Sequence, residues 1–393
     1  MDLQAPAALS GAAPAAALRI DQVELHELVL PLREPFVISG GVIRERRSLI
    51  VVLRDAEGRE GYGESPPFEL PFYSEETLAG ARDLLAGLLL PRLLGREFAG
   101  PEAVDAALRS GVRGNQFARA GPETAAWDLA ASRDGVGLVD LLARRLGVAA
   151  ASAVPCGVAL GIPEDRNPDT LARAVAGALE QGYRRVKIKV APGWDQAPVA
   201  AARRALAGTG IPLTVDANGA YEWPLHGSNL RRLDEAELLY IEQPLAPDEL
   251  LGHVRLSQTL RTPICLDETL RDARAARAVA ELGGPKVWNL KVHRVGGLTE
   301  ALRVYQEALR YGAALWAGTM PESGIGSQAA LAIAALPGFV YPSDLEPSTR
   351  WYGRNVDVIK LTMGKDGRMA VPRLAVGKML DRTRFARASR RVV

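Results

Sequence analysis

Five ionisable residues stand at nearly even intervals in the second half of the chain, each closing a short apolar run. They are Lys189 in VKIKV, Asp216 in LTVDAN, Glu242 in LLYIEQP, Asp267 in PICLDE and Lys291 in VWNLK, with successive gaps of 27, 26, 25 and 24 residues. An interval of that size holds one strand, one helix and two loops, the repeat of a parallel β/α unit. Charged groups at the C-terminal ends of successive parallel strands are where a β/α barrel keeps its chemistry. An open doubly wound sheet shares the repeat, but five consecutive charged strand ends converge on one axis only when the sheet closes. The fold class expected from this pattern is α/β, a (β/α)8-type TIM barrel.

The rest of the chain fits around that barrel. Strand patterns occur at 154–160, 184–190, 212–216, 238–242, 263–267, 286–291 and 313–317, with a weaker eighth at 338–342. Helical spacing fills the intervals at 167–181, 195–207, 247–260, 270–282, 297–311 and 327–336. Before them, residues 18–30, 47–54 and the GREGYGES segment read as strands, with Gly40-Gly41 in a connection. Helical stretches follow, the first with a start signal at Ser74 and Glu75-Glu76. Strands followed by helices make an α+β domain. The expected division is a disordered leader at 1–17, an α+β domain at 18–150, the barrel at 151–344, and a segment 345–393 that packs back on the first domain.

Composition narrows the function. A net charge of +2 over 393 residues offers no surface for nucleic acid or an anionic membrane, so neither is expected as a partner. No uncharged apolar stretch approaches the roughly 18 residues that a membrane helix requires. The two cysteines, Cys156 and Cys265, lie in apolar runs and read as buried thiols of a cytoplasmic protein. The four histidines, His26, His226, His253 and His293, have no metal-ligand spacing among them, which argues against a zinc site.

The pattern carries specific chemistry. Residues two apart on a strand share a face, so Lys187 points with Lys189, Asp216 with Asn218, and Asn289 with Lys291. Asp216, Glu242 and Asp267 on adjacent strands form a carboxylate cluster whose charges repel, and a divalent cation resolves the conflict. An all-oxygen set suits Mg²⁺, with Mn²⁺ as the substitute. Such an ion stabilises the enediolate formed when a proton is removed next to a carboxylate. The substrate expected is therefore a small-molecule carboxylate. Lysine has an unperturbed pKa of about 10.4, so a lysine base needs that value depressed, and Lys187 supplies a like charge beside Lys189. Lys189 and Lys291, on the second and sixth strands, reach the carbon from opposite sides. Taken singly, a Lys-x-Lys is usually a solvated edge and an Asp after a strand is often a helix cap; all five in order are not explained that way.

At these residues the chain resembles the enolase superfamily, in its muconate-lactonizing subgroup, through Lys187-Ile188-Lys189, Val215-Asp216-Ala217-Asn218, Ile241-Glu242-Gln243-Pro244, Leu266-Asp267-Glu268 and Asn289-Leu290-Lys291. The likeness spans roughly residues 20–385. It implies a modified barrel under an N-terminal capping domain completed by the C-terminal tail, and commonly a homo-oligomer. It implies that Asn218 and Glu268 support the metal site. Within the subgroup, GYGES, PFYSEET, GYRRVKIKVAPGWD, NLKVHRVGG and MPESGIG are most similar to o-succinylbenzoate synthases and N-succinylamino acid racemases. Arg294 matches an arginine of the racemase branch. Loops around Phe36–Gly41 and Pro66–Tyr73 form the implied substrate lid, so Phe36 and Tyr73 join Asn289, Glu322 and Ser323 as candidate substrate or supporting residues.

Three departures leave the substrate open: Ala317–Ser327 replaces the usual turn after strand seven, Asp344-Leu345-Glu346-Pro347-Ser348 replaces a small-residue run, and Trp223-Pro224 with HGSN is unusual. The expected activity is dehydration to an o-succinylbenzoate-type acid, racemisation of an N-succinylamino acid, or both. Muconate cycloisomerisation and dipeptide epimerisation are the alternatives on the same fold, and a silent carboxylate-binding paralogue is the remote one. No organic cofactor is expected.

Overall fold

The computed structural model describes residues 17–38 and 41–393, apart from the side chains of 36–42. The leader expected at 1–17 lies outside the described residues except for its last position, as do the Phe36 side chain and the tip of the Phe36–Gly41 loop.

The N-terminal part contains the strands Leu18–Ile20 (β1), Gln22–Ile38 (β2), Gly41–Arg54 (β3), Glu60–Ser65 (β4) and Arg96–Phe98 (β5). β2 and β3 form a long antiparallel hairpin, and β4 extends it beside β3. Both hairpin strands run further than expected, because the register shifts between Pro31 and Phe36 and then resumes. Such an irregularity absorbs prolines that would interrupt a regular ladder. The first helix, Leu78–Leu84, starts later than Ser74: Thr77 caps it, its Oγ1 accepting the Gly80 amide at 3.1 Å. Glu76 is used elsewhere, accepting the Phe117 and Ala118 amides at 2.8 Å each at the start of the helix Gln116–Arg133.

That helix lies on β4 with almost no space between the backbones. A Cβ on Gly63 would fall 2.0 Å from the Gly121 carbonyl oxygen, and one on Gly61 would fall 2.2 Å from that of Ala125. The two glycines of GYGES are thus required by backbone approach.

Ala153–Pro155 (β6) leads into seven parallel strands: Gly157–Leu160 (β7), Arg185–Lys189 (β8), Leu213–Asp216 (β9), Ile241–Glu242 (β10), Ile264–Leu266 (β11), Val287–Leu290 (β12) and Ala314–Ala317 (β13). They pair strictly in chain order. All seven lie within the stretches expected from the sequence. The eighth differs: 338–342 is not a ladder strand. Residues 338–344 fill its place with isolated bonds, Leu315 to Gly338 and Asp344 to Ala317 on one side, Gly157 and Pro155 to Ser343 on the other. Pro337 stands just before this segment and Pro342 lies within it; together they remove two amide donors, which prevents a regular ladder.

The chain ends with Arg368–Ala370 (β14), antiparallel to β6, and Ser389–Arg391 (β15), antiparallel to β2. Two buried carboxylates join the N-terminal part to the barrel through helix N-termini. Glu64 accepts the Ser323 and Gly326 amides at 3.2 and 3.0 Å; Glu123 accepts those of Leu298 and Thr299 at 2.6 and 2.8 Å. Each satisfies orphan amides and complements the helix dipole. Among the described residues no helix is long and apolar enough to cross a membrane.

Replacing Gly63 by alanine is expected to destabilise the fold by about 1–3 kcal/mol, the usual scale of overpacking. A thermal melt of Gly63→Ala superimposable on the wild type would refute the close-approach argument.

Candidate metal centre and acid–base site

The strand register brings the charged residues together. Lys189, Asp216 and Glu242 are successive register partners across β8, β9 and β10. Asp267 lies just past the end of β11 and Lys291 just past β12, on the far side of the acids. Oxygens of Asp216, Glu242 and Asp267 all lie within 4.8 Å of one another, and all three side chains are buried. Basic groups surround them. Lys189 Nζ is 2.7 Å from Asp216 Oδ2 and 2.6 Å from Asn218 Oδ1. Lys187 Nζ reaches Glu242 at 2.9 Å and Asp344 at 2.7 Å. Lys291 Nζ is 2.9 Å from Asp267 Oδ2, while Arg294 bonds the other Asp267 oxygen. The lysines Lys189 and Lys291 therefore flank the acid trio from its two ends.

The electrostatics follow from this placement. Burial opposes ionisation of Asp216, but Lys189 and Lys187 outweigh it and hold the carboxyl well below its usual range. Glu242 goes the other way: burial and the neighbouring Asp216 raise it, with Lys187 opposing. Glu268 is raised by burial and by Asp216. Burial would lower Lys187, yet Asp344, Glu242 and Asp216 hold it well above the ordinary lysine value. Lys291 is likewise raised, burial being outweighed by Tyr73, Glu268 and Glu242. The depressed value expected for a basic lysine is not produced at Lys291 by protein groups alone, because three acidic neighbours stabilise its charged form.

The donor set fits a divalent cation. Three carboxylate oxygens can approach one centre, Glu268 Oε2 is buried without a hydrogen-bond partner, and Asp267 Oδ2 is held only by its ion pair with Lys291. Hard oxygen donors of this kind suit ions of the Mg²⁺ and Ca²⁺ type better than a soft metal. Supporting bonds orient the set: Asn289 Nδ2 donates to Glu242 at 2.8 Å, and Asn218 Nδ2 donates to Glu268 at 2.9 Å.

A cavity of about 340 Å³ opens above these groups, lined by Lys187, Lys189, Asp216, Asn218, Glu268 and Lys291 on the barrel side. Phe68, Phe72 and Tyr73 enter from the N-terminal part, and Met320, Pro321, Glu346 and Trp351 complete the wall. Tyr73 lies over Lys291, the ammonium 4.9 Å from the ring centroid and 3.0 Å from the hydroxyl. Three expected residues are elsewhere. Arg294 lies behind Asp267, also donating to the Asn289 carbonyl at 2.8 Å. Glu322 and Ser323 do not line the cavity; Glu322 accepts from or pairs with His293 Nδ1 at 2.8 Å, and Ser323 bonds Glu64. The His293–Glu322 pairing explains why a histidine so near Lys291 is not directed at the cavity.

Asp344 and Glu346 were not among the residues singled out as site candidates. The spacing held a clue: Ala317 lies 26 residues past Lys291, and Asp344 another 27. Asp344 continues the repeat, but the Phe339-Val340-Tyr341 run before it is short and is cut off by Pro342, so pattern alone passes it over. Burial opposes its ionisation, yet Arg185 and Lys187 hold its carboxyl at about 2. Glu346 lacks such close cations, and burial pushes it up to about 7.

A parallel barrel with acids on its third, fourth and fifth strands and lysines on its second and sixth defines a class of carboxylate-cluster enzyme. The chain belongs to the enolase superfamily. Residues 20–143 match the mandelate racemase / muconate lactonizing enzyme N-terminal domain, and residues 170–377 match the enolase C-terminal domain-like family. It is 45% identical to N-succinylamino acid racemase of Thermus thermophilus, over 90% of this chain and 93% of that protein. It is 37% identical to o-succinylbenzoate synthase of Bacillus subtilis, over 86% of this chain and 88% of that protein. A structure described as a probable mandelate racemase from Alicyclobacillus acidocaldarius superposes with a TM-score of 0.84 at 38% identity, covering 93% of this chain and 95% of that one.

Because a ligand that binds only the folded state stabilises it, a divalent cation at about 100 times its Kd should add about 2.7 kcal/mol. The expected outcome is a raised melting temperature with millimolar divalent cation, reversed by EDTA. Asp267→Asn and Glu242→Gln should lose the response. A response retained in both variants places the ion elsewhere.

Proposed function

We propose that the protein is a Mg²⁺-dependent enzyme, with Mn²⁺ as the alternative ion, that removes the proton α to a substrate carboxylate. Its reaction would be that of an N-succinylamino acid racemase, an o-succinylbenzoate synthase, or both. The observation that carries this reading is the pair Lys189 and Lys291, lining one cavity from opposite ends of the Asp216–Glu242–Asp267 trio.

Asp216, Glu242 and Asp267 would hold the ion, which supplies stabilisation for the negative charge that builds on the substrate carboxylate. Lys187 keeps Glu242 and Asp344 in place through its two short bonds, and it presents a fixed positive charge beside Lys189. Lys189 removes or returns the proton on one face of the carbon, and Lys291 does so on the other. In a racemase both faces are used. In a dehydration one lysine is the base, and the second stabilises the anion by its charge. Phe68, Phe72, Met320 and Trp351 close the apolar side of the cavity and keep water from the reacting carbon.

Incubation with Mg²⁺ in D₂O and one enantiomer of an N-succinylamino acid should replace the α-proton by deuterium, read by NMR. Lys189→Ala and Lys291→Ala should each reduce racemisation by about 10²–10⁴-fold, the usual contribution of a positioned acid or base. Absence of exchange across N-succinylamino acids and succinyl-cyclohexadiene acids would sink the reading; full activity in either variant would sink the two-base assignment.

Glu346 favours a second reading, dipeptide epimerisation. Its carboxylate lines the cavity; Oε1 accepts the Ala159 amide at 3.2 Å, and Oε2 makes no hydrogen bond, with the Arg350 guanidinium 4.0 Å away. A carboxylate oxygen there that lacks a hydrogen-bond donor suits a substrate ammonium group. Glu346→Gln should then weaken turnover of dipeptides and spare N-succinyl substrates.

A further inference from the structure

Arg46 is a buried guanidinium on β3 with no hydrogen bond or ion pair to a carboxylate among the described residues. All its bonds go to backbone carbonyls, and they come from three segments. Nη2 donates to Pro66, and Nη1 donates to Pro67 at 3.1 Å, both in the segment that leads to Phe68, Phe72 and Tyr73. Nε donates to Pro321 at 3.2 Å, in the loop after β13. Nη1 also donates to its own neighbour, Arg47, at 2.8 Å. The guanidinium plane lies 4.7 Å from the centroid of Phe68. Glu64, which takes the amides of Ser323 and Gly326, contributes the largest stabilising negative charge.

A charge buried this way is costly unless several bonds satisfy it, and a planar fork with five donors is suited to gathering carbonyls from different directions. The carbonyls gathered here belong to the two loops that form the apolar wall of the cavity: Phe68 follows Pro67, and Met320 and Pro321 are themselves lining residues. Phe68, Phe117 and Met320 pack into one small cluster beside these bonds.

We infer that Arg46 is a positioning residue, a staple that ties the Pro66–Tyr73 lid segment to the Pro321 loop and so fixes the wall against which the substrate is held. It touches neither the acids nor the lysines, so it acts on substrate binding and orientation rather than on proton transfer. The inference rests on the proposed reaction only where turnover is used to read it.

The test compares Arg46→Lys and Arg46→Met with the wild type, each loaded with Mg²⁺. A single ammonium cannot reach carbonyls in three segments, so both variants should show faster amide hydrogen exchange in peptides covering 66–73 and 319–323. With an N-succinylamino acid that the wild type turns over, KM should rise about tenfold or more while kcat changes by less than about threefold, the pattern of lost positioning. If Arg46→Met does not fold, Arg46→Lys still decides the matter. Wild-type exchange in both loops, or a KM left unchanged in Arg46→Lys, overturns the staple. A wild type inactive on every substrate refutes the proposed reaction alone, because the exchange measurement judges Arg46 without any substrate.

Discussion

Three carboxylates buried within 4.8 Å of one another are the arrangement around which this molecule is organised. Burial and mutual repulsion both act against their ionised forms, and the opposite displacements of Asp216 and Glu242 express that conflict. The protein offsets it by directing four cationic side chains at the cluster: Lys187, Lys189, Lys291 and Arg294. Lys187 comes from the middle of β8, Lys189 from the end of β8, Lys291 from just past the end of β12, and Arg294 from the short helix Val292–Val295 that follows. Of the three acids Asp216 lines the cavity, while Glu242 and Asp267 are fully buried behind it.

The N-terminal part is bound to that centre by equally specific means. Glu64 and Glu123 serve as helix caps for barrel helices far away in sequence, and Gly61 and Gly63 let the helix Gln116–Arg133 approach the sheet that carries Glu64. Arg46 works from the same sheet, toward the lid segment and the loop after β13. The sheet therefore has two attachments to the mouth of the barrel, one anionic at the helix start and one cationic at the loop. The Phe68–Tyr73 segment supported in this way supplies part of the apolar wall of the cavity, and Tyr73 lies over Lys291.

Where local pattern and structure differ, the reason is a long-range claim on a residue. Glu76 looked like part of a helix start at Ser74, but two amides of a helix some forty residues away recruit it. The eighth strand position is held by isolated bonds because Pro337 before it and Pro342 within it remove ladder donors. Glu322 and Ser323, in a motif that suggests substrate contact, are instead engaged by His293 and Glu64. Glu346 belongs to a segment noticed only as a departure from the familiar pattern, and it faces the cavity.

Strand and helix lengths, and which face a side chain takes, depend on neighbours a few residues away. The spacing of Lys189, Asp216, Glu242, Asp267 and Lys291 was therefore enough by itself to specify a parallel β/α repeat and the groups at its strand ends. Which partner each charged group takes depends on closure of the sheet and docking of the cap. Lys187 with Asp344, Glu123 with the amides of Leu298 and Thr299, and Arg46 with Pro321 are separated by more than 150 residues and share no periodic signal. Only the assembled structure decided those pairings, because the energy that selects them exists only once burial has removed water as the competing partner.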